Sequence, residues 1–449
     1  MTGETQMTTF DTNIRLPADS IALMPVEELR PYTNNPRTHS KKQVRQIAKS
    51  IERFGWTNPL LIDAGGNVIA GHGRLAAAKS LGLREVPVLR LDHMKEAEKR
   101  AYIIADNKLA ENAGWDEALL KIELQGLEEI GFDLELTGFD TGEIDILLGD
   151  GPYEETETAP EPDHDRPAVS RPGDLWLIGP HRVYCGDALD PASWEVLMGR
   201  DRAQMVFTDP PYNVPVKGHV SGLGQTKHRE FAMASGEMSR DGFTDFLETI
   251  FRNLSSYSAD GAIHYVCMDW RHLGEVLEAA DGVYGEMKNL CVWAKTNAGM
   301  GSFYRSQHEL VFVFRNGRAP HINNFGLGEG GRHRSNLWTY AGVNTFRAGR
   351  MDDLAAHPTV KPIAMVADAI HDCSHRGGLI ADAFAGSGTT LLAAANTGRV
   401  GAGIEIDPHY TDLIVRRLEA ETGLTAIHGD SFESFASVAE QNQMEKSDD

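Results

Sequence analysis

Cysteine is scarce: Cys185, Cys267, Cys291 and Cys373 are the four in 449 residues, and no two form a C-x-x-C pair. That spacing excludes a disulfide framework and a cysteine zinc cluster, and it points to a reducing, cytoplasmic compartment with no metal centre. No run approaches the roughly 18 uninterrupted apolar residues of a membrane helix, so no membrane partner is expected. The opening MTGETQMTTFDTN lacks the basic and apolar pattern of a secretion signal. Positive charge is also short, with 43 Lys and Arg against 65 Asp and Glu and a formal net charge of −22. Taken whole, that balance opposes a nucleic-acid partner.

The distribution of charge removes the objection. Residues 111–165 carry net −17 and residues 430–449 net −5, so the rest of the chain is neutral. Within it, residues 295–361 hold nine Lys and Arg against four acids, beside His308, His321, His333 and His357. A local basic zone matters more for phosphate contact than the global sum, although a solvated face has the same composition.

A length of 449 residues exceeds one ordinary domain. The acidic, Pro-rich stretch 150–171 reads as a linker. It separates an N-terminal unit, 1–149, from a C-terminal unit, 172–434, and leaves 435–449 as a disordered tail. In the first unit, Ser40 starts a helix through Phe54 that Gly55 stops. Short strands follow at Pro59–Asp63 and Val68–Ala70, then a helix from Gly71 to Leu81 and a strand over Val86–Leu91. The acidic stretch beyond Ala110 is helix-rich, with Leu119, Leu120, Ile122, Leu124 and Leu127 as candidate core. The second unit alternates buried-strand runs with helices, which predicts a parallel sheet covered on both faces.

Two motifs carry chemistry. Asp382-Ala-Phe384-Ala-Gly386-Ser387-Gly388-Thr389-Thr390 lies between a strand and a helix. Its glycines allow close backbone approach, and the helix start offers free N–H groups. Seventeen residues after Gly388 the next strand ends at Glu405, where a carboxylate can accept both hydroxyls of a ribose. No Lys follows the glycines, which excludes a phosphate-cradling loop, and the third glycine of the dinucleotide fingerprint is missing. The second motif, Asp209-Pro210-Pro211-Tyr212, follows a buried strand. Both prolines fix φ, and Pro211 keeps Pro210 extended. One carboxylate, one carbonyl and one ring are thus held in fixed relation. Two acceptors side by side suit an amino group with two hydrogens, such as that of adenine or cytosine, and Tyr212 can stack on the base.

In combination these motifs resemble the amino-group DNA methyltransferases that use S-adenosylmethionine, over residues 172–430. D-P-P-Y precedes F-A-G-S-G-T-T, the permuted order of that family's beta group. His357-Pro-Thr-Val-Lys361-Pro resembles its H-P-T-x-K-P element, and Gly186-Asp187 its G-D element. The resemblance implies a Rossmann-like α/β methyltransferase with a mostly parallel sheet. It also implies roles. Gly386, Ser387, Gly388 and Thr389 wrap the methionine part of the cofactor, with Asp382 and Phe384 close by. Glu405 holds the ribose, Asp187 contacts the adenine, and Lys361 meets the cofactor carboxylate. Asp209, Pro210, Pro211 and Tyr212 are the catalytic turn. Double-stranded DNA is the partner, with the target base flipped out. An insert within 214–356 reads its sequence, for which Arg305, Gln307, His308, Arg332 and Arg334 are candidates.

The first unit resembles the ParB-type N-terminal domain, a small α+β fold shared with sulfiredoxin, over about residues 20–110. Asn35-Pro36-Arg37 and Gly71-His72-Gly73-Arg74 carry the likeness. It implies a nucleotide whose phosphates meet Arg37, Gly71, His72, Gly73 and Arg74. The box lacks the Glu and second Arg of the partition proteins, and residues 1–184 contain no Cys for sulfiredoxin chemistry. The expected function is a DNA modification enzyme of the restriction-modification kind that methylates adenine N6. Cytosine N4, a non-catalytic ParB-like DNA-binding protein and homodimerisation stay open.

Overall fold

The computed structural model describes residues 21–149, 162–164, 166–213, 236–295, 303–325, 334–340 and 361–447. Parts of the recognition insert, Arg332 among them, lie outside the described residues, as does His357. Two compact units divide between Asp140 and Thr141.

The first unit holds β1 (Ala22–Pro25), β2 (Arg30–Pro31), α1 (Lys41–Phe54), β3 (Leu60–Ile62), β4 (Asn67–Ala70), α2 (His72–Leu81), β5 (Glu85–Arg90), α3 (Glu96–Glu111) and α4 (Glu117–Glu129). Its sheet runs β1-β5-β3-β4-β2. The Ser40 hydroxyl accepts the Gln43 N–H at 3.1 Å, which caps α1, and Gly55 ends it at φ 77°. Leu60, Ile62, Val68, Leu75, Val86 and Val88 form the core. On α4 the buried stripe is narrower than the sequence implies. Leu124 is buried and Leu120 and Leu127 half-buried, because positions four and three apart share one face. Leu119 and Ile122 fall on the other face and are 61% exposed.

The second unit begins with α5 (Thr141–Leu148), followed by β6 (Leu175–Ile178), β7 (His181–Cys185), α6 (Pro191–Met198) and β8 (Ala203–Thr208). Next come α7 (Arg240–Ser256), β9 (Ser258–Met268), α8 (Leu273–Ala280), β10 (Glu286–Lys295), β11 (His308–Arg315) and β12 (Leu337–Tyr340). The chain closes with α9 (Ile363–Cys373), β13 (Leu379–Asp382), α10 (Thr389–Asn396), β14 (Val400–Glu405), α11 (Pro408–Thr422), β15 (Ala426–His428) and α12 (Phe435–Ser447).

These strands form one ten-stranded sheet in the order β12-β10-β11-β9-β8-β13-β14-β7-β6-β15. The centre, β9-β8-β13-β14-β7, is parallel, while the flanking hairpins are antiparallel, so the sheet is mixed with a Rossmann-like middle. Trp194, Phe243, Leu247 and Phe251 from α6 and α7 pack one face. Met365, Ile370 and Ala394 from α9 and α10 pack the other. Each large apolar side chain buried this way is worth about 1.5–3 kcal/mol.

Three sequence boundaries need correction. Residues 141–148 belong to the second unit, not to the first. Asp145 meets Arg399 in a bidentate pair, Oδ1 to Nη1 at 2.7 Å and Oδ2 to Nη2 at 2.8 Å, with both side chains at most 1% exposed. The end of the expected linker is also packed: Val169 and Ser170 donate their N–H groups to Asp412 at 2.8 and 2.9 Å. After 434 the chain forms α12 instead of a loose tail. Phe435 is buried against the Trp176 ring, centroids 5.0 Å apart.

Candidate active site

Ligands of open parallel sheets sit at the C-terminal edge where strand order reverses. Here the chain leaves β8 toward β9 and leaves β13 toward β14, on the opposite side. Both motifs emerge at that point. Asp209 to Tyr212 follow β8, and the glycine turn follows β13. Antiparallel pairing brings the β10–β11 hairpin end, with Lys295 and His308, to the same edge.

The glycine turn is built for close approach. Gly386 and Gly388 have φ of 52° and 86°, a region that L side chains seldom adopt. A Cβ at Gly386 would meet only the Phe384 carbonyl at 3.9 Å, so the space above the turn is open. Glu405, 8% exposed, accepts the Gly386 N–H at 2.7 Å and the Asp407 N–H at 2.9 Å. Burial pushes its carboxyl up to about 7. Asp382 accepts Thr208 Oγ1, Thr390 Oγ1 and the Phe384 N–H at 2.7–3.0 Å, which ties the glycine turn to the end of β8. Burial raises it to about 6. Asp187 is half-buried after β7 and accepts the Leu189 N–H at 2.9 Å. Ser387 and Thr389 flank Gly388, their hydroxyls 3.4 Å apart. An open glycine cradle beside a carboxylate at a strand end fits a ribose-bearing, cationic cofactor.

The Asp209–Tyr212 turn sits in a dense charge cluster. The Tyr212 hydroxyl lies 2.7 Å from Asp209 Oδ1 and 3.0 Å from Glu309 Oε2. Lys361, 5% exposed, places Nζ 2.5 Å from Asp209 Oδ2 and 3.1 Å from Glu309 Oε2. Lys295 bonds the other Glu309 oxygen. Burial pushes Asp209 above the usual carboxylate range, with Lys361 opposing. Burial also works against the Glu309 charge, yet Lys361 and Lys295 bring it down to about 2. Asp209 and Glu309 hold Lys361 well above the usual lysine value, although burial disfavours its charge. Lys361 thus stands against the Asp209 carboxylate, a contact that the sequence reading did not anticipate. Glu309 escaped the sequence reading as an acid of this cluster. Its only signal was the end of a mixed polar run opening an apolar strand. Asn213 was missed as well. At φ 51° it accepts the Gly236 and Met238 N–H groups through Oδ1 and anchors the turn.

The candidate DNA readers separate. Arg305 is exposed, and Gln307 closes the hairpin by donating Nε2 to the Lys295 carbonyl at 3.0 Å. His308 opens β11 half-buried. Arg334 is taken up by Asp372 at 2.9 Å and by Asp368 and the Tyr340 hydroxyl at 3.1 Å, with its ring neighbour Trp338 at 5.3 Å. In the first unit, Arg37 pairs with Glu111, and Arg74 donates to the Asn58 and Pro59 carbonyls. His72 Nε2 accepts the Tyr32 N–H at 3.2 Å, and burial lowers its pKa. A Cβ at Gly71 would strike Leu60 at 2.6 Å and one at Gly73 would strike Ile47 at 2.9 Å.

Known proteins match along these same divisions. The family of DNA methylases matches residues 203–416, the ParB N-terminal domain residues 12–107, and the ParB-methyltransferase HTH domain residues 118–172. The sequence reading found the first two and saw the third only as a helix-rich stretch. The ParB-like nuclease domain-containing protein YnaK of Escherichia coli is 50% identical over 80 residues, 18% of this chain and 92% of that protein. Type II methyltransferase M.HpaI of Haemophilus parainfluenzae is 26% identical over 54% of this chain and 74% of its own. DNA adenine methyltransferase YhdJ of Escherichia coli is 36% identical over 91 residues, 20% of this chain and 30% of that protein. The second unit carries an amino-type DNA methyltransferase domain, and through its first unit the chain belongs to the ParB-like proteins.

Proposed function

We propose that the second unit methylates the N6 amine of adenine in double-stranded DNA. The observation that carries this is the placement of Asp209 at the sheet's switch point, across from the Gly386–Gly388 turn and tied to it through Thr208 and Asp382. When bound, S-adenosylmethionine supplies an electrophilic methyl group. Gly386, Ser387, Gly388 and Thr389 would hold its methionine part, Glu405 its ribose and Asp187 its adenine. Asp209 and the Pro210 carbonyl accept the two N–H bonds of the target amine. A carboxylate has lone pairs beyond those facing Tyr212 and Lys361, so the amine adds a partner without displacing either. The two acceptors aim the amine lone pair and favour its pyramidal, nucleophilic form. Positioning and fixed charge supply the rate, with no covalent enzyme intermediate. Tyr212 gives the flipped base a face to stack on.

Adenine is favoured over cytosine by the Asp, rather than Ser, heading the catalytic motif. The adenine specificity named for the similar YhdJ supports the same reading. Incubation with labelled cofactor and duplex DNA, followed by mass spectrometry of the nucleosides, should yield N6-methyladenine. N4-methylcytosine would refute the assignment. For the first unit, we propose a nucleotide phosphate at Arg37 and the start of α2. A helix of this length presents free N–H groups there. Loss of nucleotide binding in Arg37→Ala, measured by calorimetry, tests it.

A further inference from the structure

The buried lysine of the second unit has a task that the cofactor-binding reading does not cover. Lys361 Nζ touches the catalytic carboxylate at 2.5 Å and Glu309 at 3.1 Å, and lies 5.5 and 5.8 Å from the Tyr212 and Trp293 ring centroids. Its own side chain is 5% exposed and that of Glu309 is 11%. A lone ammonium at that depth would cost far more than it returns, so the two carboxylates are what keep it there. Lys295 neutralises the second oxygen of Glu309 and leaves Lys361 to serve Asp209.

We propose that Lys361 and Glu309 are positioning residues for methyl transfer: Lys361 fixes the orientation and charge of Asp209, and Glu309 holds Lys361 in place and limits how strongly it acts. This rests on the methyltransferase reading of the site.

The groups facing Asp209 set the direction of each effect. Tyr212 comes from its own turn, Lys361 from the segment before α9, Glu309 from β11, Cys267 from β9 and Asp382 from β13. Of these, Lys361 is the cation, and it favours the carboxylate form that accepts the amine's hydrogens. Glu309 and Asp382 oppose that form, and the buried Cys267 stays a neutral thiol. Removing Lys361 therefore raises the Asp209 pKa, and neutralising Glu309 lowers it. A structural role alone would not give opposite shifts from two neighbours that bond one another.

The test uses the full chain as wild type, Lys361→Met, Lys361→Arg and Glu309→Gln. Asp209 is titrated by carbon NMR of labelled aspartate, assigned by difference from Asp209→Asn, with no cofactor present. Single-turnover methylation is followed against pH at saturating cofactor, and cofactor Kd is measured by calorimetry. Lys361→Met should move the Asp209 titration and the acid limb of the rate profile upward by about 1–3 units. Glu309→Gln should move both downward, and Lys361→Arg should restore most of the wild-type limb. Cofactor Kd should stay within about threefold throughout, an effect well under one pKa unit. A Lys361→Met protein that loses cofactor affinity while the Asp209 titration stands still would overturn the proposal and return Lys361 to the cofactor. Shifts of the same sign in the two variants would overturn it too. If Lys361→Met does not fold, the direction of the Glu309→Gln shift decides. A wild type that binds cofactor yet methylates no base would sink the functional reading instead, and the NMR titration would still judge the clamp.

Discussion

Asp145→Ala should destabilise the second unit by about 3–5 kcal/mol, because it strands a guanidinium inside the protein. Arg399 is fully buried. Besides Asp145, it keeps the Thr397 and Ser374 carbonyls and the Ser374 hydroxyl, none of which carries a countercharge. Arg376, 3.1 Å from the same carboxylate, would lose that shared partner beside Arg399 at the same time. Set against a typical stability of about 5–15 kcal/mol, the loss is a large fraction. It corresponds to a fall in Tm on the order of 5–10 °C. The assay is urea and thermal unfolding of the full chain and its variant, with the transition of the second unit identified from a fragment spanning 141–449. Removing residues before 172 should be worse still. Such a fragment also loses the Val169 and Ser170 N–H bonds to Asp412 and the Ser170 hydroxyl that accepts Trp176 Nε1 at 3.0 Å. If Asp145→Ala cost less than about 1 kcal/mol, the value of an exposed pair, the docking of α5 as the start of this unit would be refuted.

Asp209→Ala should lower kcat by at least about 100-fold, the scale of losing one oriented polar group, while cofactor Kd measured by calorimetry barely changes. Cofactor affinity should fall by about tenfold per unit as pH drops below about 7, where Glu405 takes up a proton and can no longer accept both ribose hydroxyls, and should level off above it. Glu405→Gln should flatten that dependence, and a wild-type Kd unchanged between pH 5.5 and 8.5 would exclude Glu405 as the ribose acceptor. Arg334→Ala should lower Tm without altering the salt dependence of DNA binding, since Asp368 and Asp372 hold its guanidinium. Arg305→Ala should instead reduce the slope of log K against log salt by about one if the exposed guanidinium meets a phosphate, or relax sequence preference if it meets a base.

Local chemistry was legible in the chain. Ser40 and Gly55 delimit α1, β13 ends at Asp382 and α10 runs from Thr389 to Asn396, each within a residue or so of what spacing and turn residues indicate. The same holds for the order of the two motifs, which placed both at strand ends before any sheet was seen. These features depend on φ preferences, capping and hydrophobic period over a few neighbouring residues, so a linear reading contains them. Tertiary structure alone decided which charges meet. Lys361 lies 152 residues from Asp209, and Arg399 lies 254 from Asp145. A lysine after a turn or an aspartate in an acidic helix has the same sequence signature whether it faces water or a buried partner. Hence α5 read as part of the first unit, and the linear pattern held no sign that Arg334 meets Asp368 and Asp372 or that Lys361 meets Asp209. Burial then determined which ions must pair, because desolvation makes an isolated charge too costly to keep.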